Sequence, residues 1–338
     1  MKNLLVTGAT GLVGSHLIAE LLRRNRSVDP AERCEITAVA HSETSWNRLE
    51  WLLRHEKLDR EPYRKSVAAL EYIDDCRQTL ADCRPDTIFH CAAQVAVGSA
   101  HNGEQLVSRN VEITHNLATT ALEMPSPPPR PLFVHVSSIA ALGHAPGPSG
   151  RIDERAIMEN LAGASPYARS KFLSENEVWR AATHGLPVVI VNPAVIVGLQ
   201  APETCFWLNG LFRAARKGAN RFWLDGETAF VAATDVARAM ILLAENPESW
   251  GKRYILSAEN LSFRRFLGAI AQAVGRSEPT LRVPRWLLKT SVPLFPSMGA
   301  VIAPHTPVDG SAILNAVPFR YTELSELWPQ IALATEKI

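Results

Sequence analysis

The chain holds five cysteines, Cys34, Cys76, Cys83, Cys91 and Cys205, with no CxxC pair and no histidine beside them at metal-ligand spacing. That pattern argues against a zinc site or a disulfide framework and fits reduced, mostly buried thiols in a cytoplasmic protein. No metal is expected. Lys and Arg total 35 against 34 Asp and Glu, scattered without a long basic run or heptads, so nucleic acid is not an expected partner. The opening MKNLLVTGATG has too short an apolar run for the core of a signal peptide, and no export signal is expected. The most apolar stretch, VPRWLLKTSVPLFPSMGAVIAP (283–304), is broken by Arg285, Lys289 and several prolines, which excludes a regular membrane-spanning helix. Peripheral contact with a membrane surface and a plain Pro-rich loop both stay open for it. Internal repeats and low-complexity tracts are lacking, apart from PSPPPRP (125–131).

What the chain does have is alternation. Short, continuously apolar runs, NLLVT (3–7), EITAVA (35–40), DTIFHCA (86–92), LFVHVSS (132–138) and PVVIVNP (187–193), read as strands buried on both faces. Helical patterns lie between them at 15–24, 104–123 and 167–183. This predicts an α/β fold, a Rossmann-type doubly wound parallel sheet over 1–193. Residues 194–338, richer in Pro, Trp and Phe, suit a smaller substrate-binding lobe, with the chain free to cross between the two. At 338 residues one large α/β unit or two coupled domains is the expectation.

Two local patterns carry chemistry. The first strand runs into TGATGLVGS, with Gly8, Gly11 and Gly14 three apart and an amphipathic helix behind them. Glycines there let the backbone turn tightly and approach a pyrophosphate, whose charge rests on the helix N-terminus. Gly11→Val is therefore expected to abolish nucleotide binding. The second pattern is SPYARSK (165–171). Ser165 is a natural N-cap and Pro166 a natural first helical residue, which puts Tyr167 and Lys171 one turn apart on one face. An ammonium and an oxidised nicotinamide beside the phenol would lower its pKa from about 10 towards neutrality. Asn110 falls on the apolar stripe Leu106, Ile113, Leu117, Ala121 and needs hydrogen-bond partners if buried.

An N-terminal GxxGxxG joined to a downstream YxxxK resembles the short-chain dehydrogenase/reductase superfamily. More narrowly, the chain resembles its extended branch, the NAD-dependent epimerase/dehydratase family, and within it the dihydroflavonol-reductase-like and hydroxysteroid-dehydrogenase-like members. The likeness runs from residue 3 to about 275 and rests on TGATGLVGS, FHCAA (89–93), NVEIT (110–114), VSSIAALG (136–143), YARSK, NPAVIVG (192–198) and RYILSAENLS (253–262). It implies Ser138, Tyr167 and Lys171 as the catalytic set, with Ser137 competing for the serine's place and otherwise neighbouring the nicotinamide. It implies cofactor contacts from Gly8, Thr10, Gly11, Leu12, Val13 and Gly14, from Ala92 and Ala93, from Asn110, Ser137, Tyr167 and Lys171, and from Asn192, Pro193 and Val195. Asn110 reads equally as an active-site neighbour or as a strut bonding backbone. His41 and Ser42 end the second strand where an acid would select NAD, with Glu43 a little late and Arg48 able to reach over, so the leaning is to NADP over NAD. Tyr72 or Asp74 stands near the place of the family's acid after the third strand.

The expected activity is hydride transfer to or from a ketone or secondary alcohol, with Tyr167 handling the proton. The alternative is a nucleotide-sugar epimerase or dehydratase with tightly bound NAD. A silent NADP-sensing protein is disfavoured by Ser138, Tyr167 and Lys171 standing together, and the resemblance disfavours dehydration, because the family's dehydratases carry an acidic pair where Ile139 and Ala140 follow the serines here. In TAFVAATD (228–235), Thr228 occupies the place of an arginine that would grip a sugar diphosphate, and Phe206, Trp207, Phe222, Trp223 and Phe230 lie around it. Those rings favour a lipophilic or aromatic substrate, or else form the lobe's core, while Arg213, Arg216, Lys217 and Arg221 leave room for an anion. A small-molecule substrate is the expected partner, with a homodimer left open.

Overall fold

The computed structural model describes residues 2–94, 103–125, 130–143, 149–201, 206–283 and 306–336. Most of the 283–304 stretch, most of the Pro-rich loop, Cys205 and the Phe206 side chain lie outside these residues.

A seven-stranded parallel sheet forms from β1 (Asn3–Thr7), β2 (Glu35–Ala40), β3 (Arg64–Val67), β4 (Thr87–His90), β5 (Leu132–Val136), β6 (Val188–Pro193) and β10 (Lys252–Leu256), in the order β10-β6-β5-β4-β1-β2-β3. Alternate residues serve two cores. Leu4 and Val6 face a layer with Leu17, Ile18 and Leu22 of α1 (Leu12–Ser27) and Val236 and Met240 of α7 (Ala233–Glu245). Leu5, Ile88, Phe133 and Ile190 face a second layer with Leu117 and Ala121 of α4 (Gly103–Glu123) and Val178 and Ala181 of α5 (Pro166–Thr183). Burial on both faces is why these strands read as unbroken apolar runs.

The chain leaves β1 for β2 and β3 on one side, then returns across it to β4 on the other. Such a reversal opens a crevice at the carboxyl ends of the strands, between β1 and β4. The edge strand β3, RKSV, is mostly exposed and lacks the apolar signature of the others.

Beyond residue 193, β7 (Val195–Val197), β9 (Glu227–Ala232) and β11 (Glu259–Ser262) form a three-stranded sheet, and β8 (Phe222–Leu224) pairs with β12 (Leu281–Val283). From this part of the chain β10 lines up beside β6 in the main sheet and α7 packs on α1. Phe230 stacks on Phe266 with ring centroids 4.7 Å apart, and Trp328 meets Phe266 edge-on. No helix among the described residues is long and apolar enough to cross a membrane. Of the four described cysteines only Cys76 is buried, and Cys34, Cys83 and Cys91 are half-buried.

Candidate active site

The glycine turn sits at the crevice. Gly8 takes φ +63°, and a Cβ there would lie 2.6 Å from Ala92 N, so the turn rests directly on the backbone that continues β4. A Cβ on Gly14 would run into Gly8 O, which is how α1 packs so closely on its own turn. Among the described residues a Cβ on Gly11 would meet only Gly8 O, at 3.3 Å. Gly11 is the N-cap of α1, no side chain caps this end, and no acid lies in the first turn. The N–H groups of Leu12, Val13 and Gly14 therefore have no partner inside the helix. A bare helix N-terminus with a Cβ-free approach fits a dinucleotide pyrophosphate.

These observations separate two variants. Gly11→Val is expected to weaken nucleotide binding at least about 30-fold, some 2 kcal/mol, with the melting temperature nearly unchanged. Gly14→Val is expected to destabilise the fold itself. Fluorescence titration of the reduced nicotinamide beside a melting curve checks both, and unchanged affinity in Gly11→Val would remove the turn from the site.

The crevice wall is built by a buried polar chain. His90 Nδ1 lies 2.8 Å from Thr7 Oγ1 and His90 Nε2 3.0 Å from Thr114 Oγ1, while the Thr114 hydroxyl donates to Asn110 O at 3.0 Å. Thr114 must then accept from His90, which places the ring proton on Nε2 and makes Thr7 the donor to Nδ1. Asn110 spends its amide on protein. Its Oδ1 accepts from Gln94 N at 2.7 Å, and its Nδ2 donates to Gln94 O at 3.0 Å and to Ser170 Oγ at 3.2 Å. These bonds tie the β4 extension to α5 through Asn110.

Ser165 caps α5 by accepting from Ala168 N at 3.2 Å, and Pro166 is its first residue. The helix begins beside the end of β5, where Ser138 Oγ caps the following 3-10 turn by accepting from Ala140 N. There α5 packs on that turn, and the Ser138 side chain is near enough to the half-buried Tyr167 phenol to act on its titration. Burial pushes the phenol's pKa up, with Ser138 opposing. Lys171 is buried and turned to the sheet, donating from Nζ to Val136 O at 2.8 Å. Burial lowers its own pKa to about 8, with Cys91 and Glu175 opposing.

Ser137 does not share Ser138's position. Its hydroxyl is buried and donates to Glu175 Oε2 at 2.6 Å. Asn192 Nδ2 donates to that same oxygen at 2.8 Å and to Ser138 O at 3.1 Å. Pro193 is buried opposite Leu256 of β10, Val195 opens β7, and Ala92 and Ala93 are half-buried beside Gly8. Thr10 and Leu12 are half-buried on the turn and Val13 is buried.

A second group gathers beyond β2. Exposed His41 lies 3.3 Å from Arg109 Nη2 of α4, and the same guanidinium donates to Glu71 Oε1 at 2.5 Å. Ser42 bonds locally to Thr44. Tyr72 and the Asp74 side chain are exposed at the start of α3 (Ile73–Cys83), and Asp75 is the acid that turns inward, accepting from Ala69 N at 2.9 Å.

Arg109 and Glu175 escaped the sequence reading. Arg109 shows no local signal, because only tertiary packing brings α4 to the β2 end. Glu175 did have one, since Tyr167, Lys171, Glu175 and Trp179 recur every four residues along one helix stripe.

A sterol demethylase protein B from Methylococcus capsulatus is 28% identical over 285 residues, covering 84% of this chain and 78% of that protein. A tetraketide alpha-pyrone reductase 1 from Arabidopsis thaliana is 23% identical over 291 residues, covering 83% and 82%. The crystal structure of the Bordetella bronchiseptica enzyme WbmH in complex with NAD+ superposes with a TM-score of 0.73 at 21% identity, covering 100% of this chain and 99% of that one, and shares the fold. Residues 4–256 match the NAD dependent epimerase/dehydratase family, and the chain belongs to that family of extended short-chain dehydrogenases/reductases.

Proposed function

We propose that the chain is a carbonyl reductase or alcohol dehydrogenase that prefers NADP and acts on a lipophilic or aromatic ketone or its secondary alcohol. The observation that carries this reading is the start of α5, with Tyr167, packed on the turn that carries the Ser138 hydroxyl, one helical turn from a buried Lys171.

The turn at Gly8, Gly11 and Gly14 would hold the pyrophosphate, and Lys171 the nicotinamide ribose. One of the three Lys171 ammonium hydrogens is committed to Val136, leaving two donors. When bound, the reduced nicotinamide supplies the hydride. Burial keeps the Tyr167 phenol protonated, the form that can donate to a carbonyl oxygen gaining charge. Ser138 Oγ holds that oxygen beside the phenol. The Lys171 charge, on the same helix face, favours the phenolate left behind. The preference for NADP rests on the Arg109 guanidinium standing beside His41 at the end of β2, where it could meet a 2′-phosphate in exchange for its Glu71 partner.

The substrate class rests on the second lobe. Thr228 sits on β9 opposite Leu261, an apolar and neutral pairing. Arg216 is spent on the end of the helix Leu327–Ala334, donating to Ala332 O at 2.6 Å and Thr335 O at 3.1 Å. Trp207, 49% exposed, leans on Phe266, and Trp223 lies under Arg264, while Phe230 belongs to the core.

A nicotinamide-absorbance screen, run with NADPH and NADH in parallel, tests the reading. Apolar ketones are expected to turn over, faster with NADPH, and UDP-, GDP- and dTDP-sugars to be inert. Turnover of a nucleotide sugar with no response to any apolar carbonyl would overturn the proposal in favour of an epimerase or dehydratase.

A further inference from the structure

The carboxylate of Glu175 stands where four elements of the site meet. Its side chain is only 4% exposed. Oε2 accepts from Ser137 Oγ at the end of β5 and from Asn192 Nδ2 on β6, at 2.6 and 2.8 Å. Oε1 accepts from Trp179 Nε1 one turn along α5 and pairs with Arg253 Nε on β10, both at 3.3 Å. The Arg253 guanidinium also lies over the Trp179 ring, 5.8 Å from its centroid. A carboxylate this deep is tolerable only because its oxygens are so well supplied with donors.

The arrangement leaves Asn192 no freedom. An amide nitrogen has two hydrogens, and here one goes to Glu175 and the other to Ser138 O. Flipping the amide would set its oxygen against a carboxylate and a carbonyl at once. Asn192 therefore clamps the Ser138 backbone, and Glu175 clamps Asn192. Ser138 holds an extended conformation, φ −165° and ψ 154°, with its hydroxyl at the start of the 3-10 turn that follows.

We infer that Glu175 is a positioning residue for proton transfer: it holds Asn192, and through that amide the Ser138 backbone, so that the Ser138 hydroxyl stays on the Tyr167 phenol. This rests on the roles proposed above for Ser138 and Tyr167. The charged groups facing Glu175 are Arg253 from β10 and Lys171 from its own helix, and Ser138 is the group acting on the phenol besides its burial.

The test uses full-length Glu175→Leu and Glu175→Gln, alone and combined with Ser138→Ala, on the alcohol that the screen identifies. Nucleotide affinity is expected to stay within about threefold, while kcat per nucleotide-binding site falls about 30-fold in Glu175→Leu and less in Glu175→Gln. The acidic limb of the pH profile for alcohol oxidation is expected to move to higher pH in both, because a phenol that loses Ser138 is harder to ionise. In the Ser138→Ala background, either Glu175 variant should cost little more, since the two losses share one path. A merely structural role predicts instead fewer binding sites, an unmoved pH limb and effects that multiply. That result overturns the inference, and if Glu175→Leu does not fold, an unmoved limb in Glu175→Gln does so alone. Tyr167→Phe is run alongside, and full activity there sinks the underlying reading rather than the role of Glu175.

Discussion

Tyr167→Phe is expected to lower turnover at least about a hundredfold, the scale of losing a positioned general acid, while nucleotide affinity stays within about threefold of the parent. The phenol is pressed towards its neutral form by burial, with Ser138 opposing, so removing one oxygen deletes the proton donor and little packing. Phenylalanine keeps the ring, and Pro166 with the Ser165 cap keeps the start of α5. The loss should appear in kcat and not in nucleotide binding. Lys171→Met is expected to differ by harming both, because Lys171 is buried, anchored on Val136 O, and assigned to the cofactor ribose as well as the phenolate. Stopped-flow measurement of nicotinamide absorbance, with a separate titration of nucleotide binding, separates the two patterns. Near-normal turnover by Tyr167→Phe on a confirmed substrate would show that another group moves the proton.

The interior strands of the sheet were legible because burial on both faces leaves no room for alternation. NLLVT and EITAVA match β1 and β2 residue for residue. β3 was not, since RKSV lies at an exposed edge where apolar content is not demanded. The α5 start was legible for a local reason, the N-cap followed by proline, and so was the pairing of Tyr167 with Lys171 on one face. The electrostatics between those two were not. Spacing brings the side chains to one stripe, but it cannot say that the ammonium turns to Val136 O or that burial dominates the phenol. Ser137 and Ser138 look alike in sequence and are told apart only by Glu175 and Asn192, which arrive from α5 and β6. The aromatic cluster likewise divides only in three dimensions, with Phe230 in the core and Phe222 exposed.

Between pH 6.5 and about 4.5 the nucleotide-free protein is expected to lose several kcal/mol of stability, enough to unfold a domain of ordinary stability. Three histidines are buried and held neutral. His16 donates from Nε2 to Leu199 O at 2.9 Å, and burial lowers its pKa. Burial lowers His90 to about 3, with Lys171 adding to the effect. His135 stacks on His90 with centroids 5.3 Å apart, neither of its nitrogens finds a partner among the described residues, and its pKa falls well below the ordinary value, mainly through burial. Each binds a proton in the unfolded chain near pH 6.5 but not in the folded one, so the unfolded state gains protons first as pH falls. Stability then drops by roughly 1.4 kcal/mol per pH unit for each such histidine. For His90 alone the interval from 6.5 to about 3 is worth about 5 kcal/mol. Asp235 and Glu154 act in the opposite sense, because burial raises their pKa values and the folded state takes up their protons first, but only in the carboxylate range. Lys171 contributes no slope here, being protonated in both states below about 8. Urea titrations at pH 7, 6 and 5 measure the effect. His135→Phe is expected to flatten it by one proton's worth, since a ring stacked on His90 remains and its titration does not. A free energy of unfolding that stays level from pH 6.5 to 5 would mean that these histidines are not held neutral in the folded chain.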